Sequence, residues 1–82
     1  MFTLTLKQSA QINSAEYTHN WEAEAEQRYD AGEDPAEELE QRFESQLADY
    51  NVREDLGGLT VYFKDGRLVA FYDYERFVGA VF

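Results

Sequence analysis

Eighty-two residues, 44% hydrophobic and 16% aromatic, are enough for one domain with a single small core and too apolar for a solvated tail. Seventeen acids against seven bases give a formal charge of −10 and a pI near 4.3, which argues against direct binding to nucleic acid or anionic lipid and makes positively charged molecules the expected partners. With no cysteine in the chain, disulfides and thiolate metal sites are excluded, and a reducing compartment fits.

Phe2-Thr3-Leu4-Thr5-Leu6-Lys7 alternates apolar and polar and predicts a strand with Phe2, Leu4 and Leu6 on one face. It lacks the basic start and long apolar core of a signal peptide, and no apolar run nears the roughly 20 residues that span a bilayer. A soluble cytoplasmic protein, without membrane contact, is expected. Asn13 and Glu16 have the spacing of a capping box, and Tyr17, Trp21 and Ala25 recur every fourth residue, which predicts a helix to about Ala31, stopped by Gly32. Asp34-Pro35-Ala36-Glu37 is a second helix start. Ala36, Leu39, Phe43, Leu47 and Tyr50 form the stripe that follows, with Asn51 as the stop. So short a connection makes the two helices an antiparallel hairpin, spanning about residues 14–50.

Gly57-Gly58 breaks the chain before a strand over Leu59 to Lys64, and Asp65-Gly66 marks a two-residue hairpin turn into Arg67 to Tyr74. An unbroken register opposes Phe63 to Leu68, Val61 to Ala70 and Leu59 to Tyr72 on one face, and Tyr62 to Val69 and Thr60 to Phe71 on the other. Phe77 to Phe82 reads as a last strand, with the N-terminal strand a candidate neighbour. The expected fold is α+β in the order β-α-α-β-β-β, an antiparallel sheet with the hairpin on one face. If Leu59, Val61 and Phe63 meet the helices, Tyr62, Val69 and Phe71 lie on an uncovered face. That leaves either self-association as a homodimer or a partly wet sheet.

The charge is not spread evenly. Glu16 to Asp55 holds fourteen acids and three arginines, net −11, while residues 56–82 are neutral. Glu24 with Arg28, Glu38 with Arg42 and Asp49 with Arg53 have the i,i+4 spacing of helical ion pairs. Each is worth about 0.2–0.5 kcal/mol, and like-charge neighbours lose a similar amount. Removing those acids leaves Glu22, Glu26, Asp30 and Glu33 with Glu37, Glu40 and Glu44 as the candidate partner-binding face. Spread along a helix of about 27 Å, net −11 gives roughly one charge per 2.5 Å, within a factor of two of duplex DNA at one per 1.7 Å. An acidic face that serves solubility, or a halophilic habitat, accounts for carboxylates too, but predicts them over the whole surface.

Nothing in the chain spells out an enzyme, cofactor or metal site. Glu16-Tyr17-Thr18-His19 has the Glu-x-x-His spacing of di-iron bundles, but His19 is the sole histidine and such sites draw ligands from facing helices. Asp30 to Asp34 has the start of a calcium loop, with Pro35 where glycine is required. No serine has a spaced partner base, and there is no glycine-rich phosphate loop.

The acidic run over residues 16–55, the small size, the absence of cysteine and the lack of an enzyme motif together resemble one loose class, the phage-encoded inhibitors of bacterial defence, including anti-CRISPR proteins and DNA mimics. The resemblance is compositional and covers about half the chain. It implies a non-enzymatic, stoichiometric inhibitor acting in the host cytoplasm, with a basic nucleic-acid-binding protein or complex as its partner. An immunity protein or antitoxin against a basic nuclease is the alternative in the same binding class; an acidic housekeeping or halophilic domain is the alternative outside it.

Overall fold

The computed structural model describes residues 2–82. Three helices precede four strands: α1 (Leu6–Asn13), α2 (Trp21–Asp30), α3 (Ala36–Glu44), β1 (Val52–Asp55), β2 (Leu59–Lys64), β3 (Arg67–Asp73) and β4 (Val78–Val81). The strands form one antiparallel meander in the order β1-β2-β3-β4. The fold is α+β as expected, but the order is α-α-α-β-β-β-β.

The first correction is at the N-terminus. Thr5 and Gln8 form a reciprocal capping box, each side chain accepting from the other's backbone N–H, at 3.1 and 3.0 Å. This pair satisfies two of the orphan donors of a helix start, and it turns Leu6 onward into α1. The alternation of residues 2–7 is thus not a strand, and β4 pairs with β3 instead. Asn13 ends α1 rather than capping α2. That cap is Asn20, whose Oδ1 accepts from the Ala23 N–H at 3.1 Å, so Glu16, Tyr17 and His19 lie in the connection.

Gly32, at φ +83°, closes the end of α2. Asp34 Oδ1 accepts from Ala36 N at 3.4 Å, and α3 begins one residue after Pro35. α3 stops at Glu44, well before Asn51. Asn51 instead clamps the hairpin turn: its side chain donates to Asp65 Oδ1 at 3.1 Å and accepts from Asp65 N at 3.2 Å. Asp65 and Gly66 both have positive φ, as a type I′ turn requires. β1, absent from the sequence expectation, pairs Val52 with Phe63 and Asp55 with Thr60.

The β2–β3 ladder starts in the expected register, Phe63 opposite Leu68, and then slips. Tyr62 opposes Ala70, Val61 opposes Phe71 and Thr60 opposes Tyr72, which leaves Val69 as an extra residue on β3. The slip decides the core. Tyr62, Ala70 and Tyr72 face α2 and α3, packing with Trp21, Ala25, Leu39 and Phe43. Val61, Phe63, Leu68 and Phe71 face the other way, under Leu4, Ile12 and Ala15 of the N-terminal segment. The expected uncovered patch therefore does not exist. Tyr62 and Phe71 are buried on opposite faces, and Val69 is half-buried beside the helices. Gly79 admits α3 onto β4, since a Cβ there would sit 2.8 Å from both the Phe43 and Tyr72 rings.

Candidate acidic binding face

α2 and α3 are joined by the five residues 31–35, so their acidic side chains rise from one small platform. The three arginines of this region decide which acids stay available, and none makes its expected i,i+4 pair. Arg28 of α2 reaches Glu33 at 2.9 Å and Glu38 of α3. Arg42 of α3 reaches back to Glu24 of α2. Arg53 lies on β1, and it binds Glu40 and, at 3.4 Å, Glu44. Asp49, its expected partner, pairs with Lys64 at 3.0 Å. Each arginine thus bridges two elements, and the bridges tie α2 to α3 and α3 to the sheet.

These bridges shift two carboxyls in opposite directions. The hydrogen bond from Arg42 holds Glu24 below the usual carboxylate range, against the effect of burial, with His19 at 3.2 Å assisting. Glu40, whose side chain is only 15% exposed, is pushed up by burial, with Glu44, Asp55 and Glu37 adding repulsion that Arg53 offsets only in part. Burial raises the Tyr62 phenol above its ordinary value, and the hydrogen bond it donates to Glu44 at 2.9 Å raises it further. Burial also lifts Tyr72, to about 12.

The seven candidate acids therefore divide. Glu33, Glu40 and Glu44 are held by arginine. Glu22, Glu26, Asp30 and Glu37 are exposed and make no ion pair among the described residues. α2 has 10 residues, about 15 Å at 1.5 Å per residue, shorter than the sequence implied. Glu22, Glu26 and Asp30 lie along that length, roughly one charge per 5 Å, about a third of the density of duplex DNA.

Glu22, Glu26 and Asp30 share a groove with Glu75, Arg76 and Phe77 of the turn between β3 and β4. Tyr29 of α2, exposed at 46%, meets Phe77 edge-on with ring centroids 5.9 Å apart. Phe77 has φ +49°, uncommon for a bulky residue. Asp73 Oδ1 shapes the turn by accepting from Glu75 N at 3.0 Å and Arg76 N at 3.3 Å. Sequence reading missed Glu75 and Phe77 in this site, because no spacing rule links residue 77 to a helix some fifty positions earlier. The exposed Tyr29 was the available sign, as an aromatic at the margin of the α2 stripe.

His19 Nε2 lies 3.2 Å from Glu24, its ring edge-on to Trp21 with centroids 4.7 Å apart. Among the described residues, no group of three or more His, Asp or Glu is arranged to hold a metal ion, and no helix is long and apolar enough to cross a membrane. Comparison with models of known protein families, with curated proteins and with solved structures finds no match.

Proposed function

We propose that the protein is a non-enzymatic binding module whose acidic face, centred on α2, occupies a basic nucleic-acid-binding surface of another protein in competition with nucleic acid. The observation that carries this is the direction of the arginine bridges. All three arginines of the acidic region turn to Glu24, Glu33, Glu38, Glu40 and Glu44, and none neutralises Glu22, Glu26, Asp30 or Glu37. Glu22, Glu26 and Asp30 follow one another at i,i+4, a like-charge spacing that local helix stability does not favour. A cationic surface would relieve the repulsion. With the compositional resemblance drawn above, the reading extends to a bacterial defence complex of the CRISPR–Cas kind as the partner.

The test is displacement of labelled nucleic acid from purified defence surveillance complexes and nucleases. Wild type is expected to displace it at low salt and lose that ability steeply as salt rises, because surface charge interactions are screened. Glu22→Lys with Glu26→Lys should slow association by at least about tenfold and leave helix content intact. Asp49→Lys with Glu54→Lys makes the same change in net charge elsewhere and should cost far less. If the α2 double reversal inhibits as well as wild type, the acidic face serves solubility alone and the proposal fails.

A further inference from the structure

We infer that the groove between α2 and the β3–β4 turn recognises guanidinium, receiving an arginine side chain of the basic partner. This rests on the function proposed above and names the partner's residue type. The groove is more than a set of acids. Its floor is the Tyr29–Phe77 aromatic pair, with buried Ala25 behind it. Its walls are carboxylates from two elements: Glu22, Glu26 and Asp30 on α2, and Glu75 on the turn.

The molecule twice holds its own arginines with this combination. The Arg42 guanidinium lies over the Trp21 ring, 5.3 Å from its centroid, while bound to Glu24. Arg53 lies over the Tyr62 ring at 5.9 Å while bound to Glu40 and Glu44. The groove presents an aromatic ring and carboxylates a third time, on the outside. Arg76 stands at its rim and makes no salt bridge among the described residues. A planar guanidinium stacks on a ring and still offers its edge to a carboxylate, whereas a lysine ammonium is a hydrated point charge that gains mainly from the acids. The groove therefore favours arginine over lysine, and Arg76 competes with an incoming arginine.

Titration of the full chain with labelled hexa-arginine and hexa-lysine peptides, followed by anisotropy, tests this. Hexa-arginine should bind about 2–5-fold more tightly, the range expected for an exposed cation–π contact. Tyr29→Leu keeps an apolar floor but removes the ring. It should abolish the preference and leave hexa-lysine binding unchanged. Tyr17→Leu, which alters an exposed aromatic outside this groove, should preserve the preference, and Arg76→Gln should tighten both peptides. A preference that survives Tyr29→Leu, or a loss shared equally by the two peptides, overturns the guanidinium assignment and leaves the acidic-face reading standing. Absence of salt-sensitive binding by either peptide overturns both.

Discussion

α2 and α3 are both rich in carboxylates, yet they use them in opposite ways. The α3 acids Glu38, Glu40 and Glu44 each meet an arginine from another element. On α2 only Glu24 does so, while Glu22, Glu26 and Asp30 line an open groove. The difference shows that acid count does not tell the two rows apart; the destinations of the few cations do. One row fastens the fold, and the other is the row proposed to meet an outside cation.

If that division holds, substitutions should separate cleanly into those that loosen the fold and those that do not. The largest effect belongs to the platform under the fastening row. Phe43 is fully buried against Trp21, Tyr62 and Tyr72, and Phe43→Ala should cost about 3–5 kcal/mol in urea unfolding. Next comes Arg53→Ala, which strands Glu40 and Glu44, with side chains 15% and 25% exposed. A loss of about 1–2 kcal/mol is expected, below that of a fully buried pair because Arg53 itself reaches water. Glu22→Gln, on the open row, should stay within about 0.5 kcal/mol of wild type; an equal loss from both would erase the distinction.

Tyr62→Phe removes the donor to Glu44 and should cost about 0.5–1.5 kcal/mol. The smallest effect is a contrast in acid titration, read carboxyl by carboxyl by NMR. Glu24, with its folded pKa lowered, stabilises the fold above the ordinary value of 4.5, and that contribution fades as pH falls through the lowered folded value. Glu40, with its folded pKa raised, opposes folding when ionised, and the penalty fades as pH falls from the raised value to below 4.5. Parallel titration of the two would contradict the unequal shielding of these sites.

Several features were legible in the sequence because local chemistry decides them. Asp65-Gly66 needs two left-handed residues, Gly32 ends a helix, and Asp34-Pro35 opens one within a residue of the expected place. The N-terminal helix was legible too, in the Thr5–Gln8 spacing, but the alternation of residues 2–7 pointed the other way and the cap prevailed. β1 was not legible: Val52-Arg53-Glu54-Asp55 has little strand character and is extended because β2 offers it an edge. In the candidate site, the acids could be listed but not sorted. Their sorting depends on Arg53 lying on a strand, where an i,i+4 partner has no meaning.

The extra residue on β3 also makes the chain's length adjustable at one position. In a regular hairpin, losing one residue inverts the facing of everything beyond it. Here Val69 lies without a partner between the Phe63–Leu68 and Tyr62–Ala70 pairs, so a chain lacking Val69 joins Leu68 directly to Ala70 in an even ladder. Phe71, Tyr72 and the residues that follow keep their present sides, and the only side chain lost is the half-buried Val69. Deleting Ala70 evens the ladder too but sets Val69 in the fully buried site of Ala70, and deleting Phe71 empties a core position. Among natural variants of this chain, single-residue gaps in β3 should therefore gather at position 69.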